Sequence, residues 1–210
     1  MSRIGVLLSG RGSNFLALHA AIERGEVPAK IVLVLSNRRH APGIVRALER
    51  GVPAAVVPHA RLASREAHDM VVIEALHRAG VDWVCLAGYM RLLTPRFVAA
   101  FPDRILNVHP SLLPAFPGLD AQHQAWEYGV KIAGCTVHLV DADLDRGPIV
   151  VQRAISVAEK DTPASLADRI LAEEHRAYPE ALRRLLTEPW RIEGRRVSFT
   201  GGSKISSLDP

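Results

Sequence analysis

The sequence predicts an α/β fold: a doubly wound, mostly parallel sheet with an antiparallel C-terminal extension. Short uninterrupted apolar runs alternate with stretches of helical periodicity through the first half of the 210 residues. Such runs mark strands covered on both faces, and helices between them imply parallel crossovers. In the second half, two longer apolar runs are joined by Asp-Ala-Asp-Leu-Asp-Arg-Gly (141–147), whose Asp and Gly content reads as a turn. Those two runs are expected to extend the sheet antiparallel.

Ile4–Leu8 reads as the first strand, followed by the Gly-rich turn Ser9–Asn14 and a helix through Ala17–Arg24. Ile31–Leu35 and Ala54–Val57 are the second and third strands, with a helix near Ile44–Arg50 between them. Ser64–Ala79 is a longer helix, Trp83–Ala87 a fourth strand and Ile105–Val108 a fifth. Ile132–Val140 and Ile149–Val157 are the antiparallel pair. Leu166, Ile170, Leu171, Leu182 and Leu185 keep helical spacing through Pro163–Leu186, with a start at Asp161-Thr162-Pro163. Pro179 is expected to interrupt or kink that helix. Residues 1–190 read as one domain, and 191–210 as a short hairpin about Glu193-Gly194 with a frayed tail, Gly201–Pro210.

With 48% hydrophobic and 23% charged residues the composition is globular and supports one sizeable core. The net charge of +4 is spread along the chain, which suits an anionic small-molecule substrate better than nucleic acid. Only 5% of residues are aromatic, leaving little for base stacking. Cys85 and Cys135 each sit in an apolar run; they read as small buried hydrophobes, not as a disulfide framework. The N-terminus lacks a signal-peptide h-region and cleavage site, and no apolar stretch approaches membrane-spanning length. A cytoplasmic protein, with neither membrane nor nucleic-acid partner, is the expectation.

Three segments carry candidate chemistry. Ser9-Gly10-Arg11-Gly12-Ser13-Asn14 follows a strand and opens a helix, so its glycines admit close backbone approach and the helix N-terminus offers free N–H groups to a phosphate. The pattern is neither the dinucleotide fingerprint nor a P-loop, and taken alone it is equally a tight turn capped by Ser13. In Asn107-Val-His109-Pro-Ser-Leu-Leu-Pro114, alternation along a strand places Asn107 and His109 on one face at a carboxyl end. A carboxamide and an imidazole there suit an oxygen that gains negative charge. Asp141, Asp143 and Asp145 begin like a calcium loop, but Arg146 follows and the closing Glu is missing. The turn is better used to set a carboxylate against His109, which favours imidazolium. Alone it reads as a solvated turn.

A fourth segment, Ala87–Leu93, has small residues and then an apolar stretch containing Arg91. It is open between a cleft wall for a flat ligand and a buried loop. His138, inside an apolar strand, reads as a core histidine. The remaining histidines lack zinc spacing, so no metal is expected, and no nucleophile elbow or Cys–His arrangement supports covalent catalysis.

Taken together, SGRGSN, SNRRHAPGIVRA, SREAHD, LAGYMRLLTP, ILNVHPSLLPAFPG and VHLVDADLDRGPIVVQ make the chain resemble the folate-dependent phosphoribosylglycinamide formyltransferases of purine synthesis, from Ile4 to about Leu186. The resemblance implies 10-formyltetrahydrofolate as co-substrate and 5-phosphoribosylglycinamide as acceptor. It implies that Gly12, Ser13 and Asn14 bind the substrate phosphate and that Glu174 meets the substrate. Arg65, Met90, Arg91, Leu92 and Leu93 match the folate side, with Asn107 and with Asp141, Ala142, Asp143, Leu144 and Asp145 across from them. Asn107, His109 and Asp145 match the catalytic trio. A homodimer is compatible with the resemblance. After Gly118-Leu119 the family often has His-x-His, where this chain has Asp120 and Gln122. A formyltetrahydrofolate hydrolase and a methionyl-tRNA formyltransferase share the chemistry; a non-catalytic phosphosugar-binding protein is the alternative from another class.

Overall fold

The computed structural model describes residues 1–200, so the stretch read as a frayed tail, Gly201–Pro210, lies outside the described residues. Strands β1 (Ser2–Leu8), β2 (Ala29–Ser36), β3 (Ala54–Val56), β4 (Trp83–Leu86) and β5 (Ile105–His109) pair in parallel. Strands β6 (Ile132–Leu139) and β7 (Ile149–Ser156) follow antiparallel, as expected. The hairpin of β8 (Trp190–Glu193) and β9 (Arg196–Phe199) does more than the sequence showed. It joins the sheet through a single pairing of Ile149 with Arg196, giving the order β3-β2-β1-β4-β5-β6-β7-β9-β8.

Helices cover both faces. Helices α1 (Ser13–Glu23) and α6 (Pro163–Thr187) lie over one core, built on Ile4, Phe15, Leu106, Ile170 and Tyr178. Helix α3 (Arg65–Arg78) and the short α4 (Pro95–Ala100) close a second core around Leu7, Val72, Val84 and Phe97. Helices α2 (Pro42–Leu48) and α5 (Ala121–Tyr128) complete the set. No element had been expected over α4 and α5. With 6 and 8 residues each, they are too short to show a period and are fixed by caps and packing. Thr94, for example, accepts from Phe97 N to start α4.

Two sequence expectations require correction. Helix α1 begins at once on Ser13, and the residue before it, Gly12, caps it in a left-handed conformation without any side-chain bond, so Ser13 is not the cap. Helix α6 is not interrupted at Pro179 and continues across it for 25 residues in all. Pro179 deprives the His175 carbonyl of a partner, yet Ile170, Ala177, Tyr178, Ala181, Leu182 and Leu185 bury one continuous stripe that outweighs the lost bond. The Thr162–Ser165 capping box at its start matches the expected N-terminus.

Helix α6 also anchors the strand ends. The Tyr178 hydroxyl lies between the carbonyls of Leu86 (3.0 Å), the last residue of β4, and Leu106 (2.9 Å), the second residue of the neighbouring β5. One turn earlier, Glu174 is carried over the same ends. No helix among the described residues is long and apolar enough to cross a membrane.

Candidate active site

The carboxyl ends of β1, β4 and β5 open into two clefts, and the ends of β4 and β5 form the wall between them. One cleft, about 320 Å³, is lined by Ser9–Asn14, Met90, Val108, Pro110 and Glu174. The other, about 270 Å³, is lined by Arg65, Arg91, Leu92, Leu93, Asn107, His138 and the 141–145 turn. Neighbours in sequence therefore face opposite clefts, as Asn107 and Val108 do. Met90 departs from the expectation set by the resemblance. It lines the first cleft, not the second with Arg91–Leu93.

In the first cleft the turn is set by Gly12, at φ +74, where a Cβ would come within 2.9 Å of the Gly43 backbone. A side chain would thus meet both strain and a clash. Asn14 and Glu174 are buried together, and Asn14 Nδ2 donates to Glu174 Oε2 at 2.7 Å. Asn14 Oδ1 is buried with no partner, an acceptor left for a ligand donor. Burial pushes the Glu174 carboxyl up to about 7, against the lowering effect of the Asn14 N–H. Apart from the family resemblance, nothing along the chain marks Glu174, because 160 residues separate it from Asn14.

The wall holds the trio. Asn107 stands directly opposite His138 in the antiparallel pairing of β5 and β6, which brings Asn107 Nδ2 within 3.1 Å of His138 Nε2. His138 Nδ1 lies 2.9 Å from the Leu139 carbonyl, which only accepts, so the His138 proton sits on Nδ1. Nε2 must then accept from Asn107, which fixes the carboxamide orientation and leaves its second N–H free for the cleft. Burial lowers the His138 pKa and keeps the ring neutral in that role. Reading His138 as a core histidine was half right: it is buried and satisfied, but it also lines the cleft and orients Asn107.

His109 is clamped by two loops. Its Nε2 is 2.9 Å from the Phe116 carbonyl, so Nε2 carries a proton, and its Nδ1 faces Asp145 Oδ2 at 3.5 Å. Asp145 Oδ2 also accepts from Gly118 N at 2.8 Å, and Asp145 Oδ1 is 3.8 Å from His138 Nε2. The expected approach of the Asp145 carboxylate to His109 is present. His109 itself lines neither cleft and is 4% exposed; it reaches them only past Asn107 and Asp145. Asp145 (φ 52) and Phe116 (φ 51) both hold left-handed backbone without being glycine. Strain of this kind, about 1–3 kcal/mol per residue, gathers where a side chain must be aimed.

Further residues support these loops without touching the trio. Asp69 Oδ2 accepts from Thr94 N at 2.8 Å, tying α3 to the 88–94 stretch. Ser111 Oγ donates to the Ala115 carbonyl at 2.5 Å, beside the carbonyl that grips His109. At the neck of the 141–147 turn, a Cβ on Gly147 would strike the Leu139 carbonyl at 1.8 Å. Of the pair at the family's His-x-His positions, Gln122 lines the first cleft, while Asp120 is the left-handed cap of α5. Arg91 Nε is buried in the second cleft without a partner.

Residues 2–182 match the formyl transferase family. Over 186 residues the chain is 45% identical to the trifunctional purine biosynthetic protein adenosine-3 of Drosophila melanogaster, covering 88% of this chain and 14% of that protein. The chain thus spans only that small share of the first relative's length. Phosphoribosylglycinamide formyltransferase of Bacillus subtilis is 39% identical over 186 residues, covering 89% of this chain and 95% of that one. The crystal structure of glycinamide ribonucleotide transformylase 1 from Symbiobacterium toebii superposes with a TM-score of 0.93 at 53% identity, covering 95% of this chain and 94% of that chain. The chain belongs to the formyl transferase family, among the phosphoribosylglycinamide formyltransferases.

Proposed function

We propose that the protein transfers the formyl group of 10-formyltetrahydrofolate to the glycyl amine of 5-phosphoribosylglycinamide, in the cytoplasm and without a metal. The observation that carries this reading is the wall between the clefts, where Asn107 and His109 from the end of β5 meet Asp145 from the 141–147 turn. Two substrates held on either side of such a wall would meet at its rim, and their positioning supplies much of the rate.

The acceptor fits the first cleft. The Gly12–Asn14 backbone at the start of α1 offers N–H groups and a positive dipole end to the phosphate. Asn14 Oδ1 and Glu174 would take hydroxyl or amine donors of the substrate. The formyl donor fits the second cleft, where the unpartnered Arg91 Nε awaits an acceptor and Leu92 and Leu93 offer apolar cover. When bound, the donor supplies an electrophilic formyl carbon. Everything else falls to the protein.

The free N–H of Asn107 donates to the formyl oxygen as it gains charge, a contact worth about 3 kcal/mol of barrier. His109, anchored through Nε2 on Phe116, places a proton on Nδ1 between that oxygen and Asp145. Asp145, 3.5 Å from Nδ1, keeps the ring aimed, while a proton passes from the attacking amine to the departing nitrogen. General-acid assistance contributes roughly 10²- to 10⁴-fold.

The test is spectrophotometric loss of 10-formyltetrahydrofolate with and without phosphoribosylglycinamide. Loss that requires the acceptor supports the transferase. Equal loss without it identifies a hydrolase, and binding of both compounds without turnover identifies a non-catalytic protein.

A further inference from the structure

Beside the first cleft lies a pocket of about 630 Å³ that the transferase reading does not use. It sits at the carboxyl ends of β1, β2 and β3, built from Ser9–Arg11, Asn37–Pro42 and Pro58–Ala60. In open α/β sheets this is the side on which ligands bind. Its lining contains Arg11, Arg38, Arg39, His40 and His59, and no Asp or Glu. A concave site lined by one sign of charge concentrates ions of the other.

The framework of the pocket is already ordered. Ser9 Oγ donates to Asn37 Oδ1 at 2.5 Å, both residues being buried, and Met90 N donates to Ser9 Oγ at 2.8 Å. His59 Nδ1 donates to the Asn37 carbonyl at 3.1 Å. Arg46 Nη1 holds the Arg11 carbonyl at 2.8 Å, and Gly43 N donates to the Gly10 carbonyl at 3.1 Å. A polar scaffold fixed before a ligand arrives lowers the ordering cost of binding.

We propose that this pocket is a second anion subsite for a phosphoryl group, coupled to the substrate phosphate through Arg11 and Arg38. Among the described residues those two arginines are the only cationic ones lining the first cleft, and both also line this pocket. An anion held here draws on the guanidiniums that would face a phosphate on Gly12–Asn14, so the two ligands weaken each other. Pro42 and Pro58 give the pocket an apolar side, which accommodates either a free phosphoryl anion or a nucleotide. The anion site stands on the pocket itself; only the coupling rests on the transferase reading.

The experiment is calorimetric titration of inorganic pyrophosphate into the full chain at low ionic strength. Arg39 lines this pocket and not the first cleft. Arg39→Ala should weaken pyrophosphate about tenfold, a loss of about 1.4 kcal/mol, with KM for phosphoribosylglycinamide unchanged within about twofold, since that contact is not made. Arg39→Glu should abolish binding at this pocket, leaving at most what Gly12–Asn14 holds, and an unchanged melting temperature shows that both variants fold. Tighter binding of adenosine monophosphate than of phosphate identifies a nucleotide as the occupant; equal binding identifies a free phosphoryl anion. Pyrophosphate that binds both variants as tightly as wild type, or does not bind wild type, overturns the subsite. If formyl transfer fails while pyrophosphate binding still depends on Arg39, the transferase reading falls and the anion pocket remains.

Discussion

The two clefts that flank the β4–β5 wall are built in opposite ways. The first takes its key feature from six consecutive residues, Ser9–Asn14, and needs the fold only to bring Glu174 onto Asn14. The second is assembled from the ends of β4, β5 and β6 and from the 141–145 turn, and no short stretch of chain describes it. A phosphate can be bound by backbone N–H groups, which every residue has. Stabilising a transient charge needs particular side chains aimed at one point, and those are gathered from wherever the topology offers them. The two regions should therefore fail differently when altered, one in binding and the other in turnover.

The largest effect is expected at the wall. Asn107→Ala and His109→Ala should each lower kcat by about 10²- to 10³-fold with KM for either substrate little changed. Asp145→Asn keeps the shape but removes the charge facing His109 Nδ1, so kcat should fall by about 10²-fold. A variant at Asp145 with full rate removes that carboxylate from the mechanism.

A smaller, differently signed effect is expected in the first cleft. Gly12→Ala meets positive φ and the Gly43 backbone, so the turn must shift. KM for the phosphorylated substrate should rise about tenfold, or about 1.4 kcal/mol, with kcat less affected. If kcat fell as far as in Asn107→Ala, the separation of binding from chemistry would be lost.

The smallest effect concerns stability. The folded-state pKa of Glu174 is raised from 4.5 to about 7 by burial, so the folded protein holds a proton that the unfolded chain gives up. Stability should therefore decline as pH rises through that window. Glu174→Gln keeps the bond from Asn14 without the charge. It should raise the melting temperature at pH 8 by a few degrees, at about 2–4 °C per kcal/mol, and leave it near wild type at pH 5. A difference between the two proteins that ignores pH refutes the assignment. KM for the phosphorylated substrate should rise at the same time.

Much of this was legible beforehand. That Asp145 is the carboxylate meeting His109 came from the family resemblance. The parallel strands, the antiparallel pair, the Gly-rich turn and the idea that a carboxylate of the 141–145 turn meets His109 follow from apolar runs and turn residues. The helices at Pro95–Ala100 and Ala121–Tyr128 did not, since six to eight residues carry too little periodicity. Nor did the orienting role of His138, because strand pairing, not sequence spacing, sets it across from Asn107.

By itself the sequence determined the class of fold, the Gly-rich turn and which side chains were available for chemistry, because these depend on residues close along the chain. The tertiary structure alone decided that Met90 faces the first cleft and Arg91 the second. It also set Glu174 against Asn14, clamped His109 on the Phe116 carbonyl, and gathered five basic residues into a separate pocket. Most of these bring together groups from different elements, up to 160 residues apart in the case of Asn14 and Glu174. Only the packing of the helices on the sheet fixes such distances, and local propensity carries no record of them.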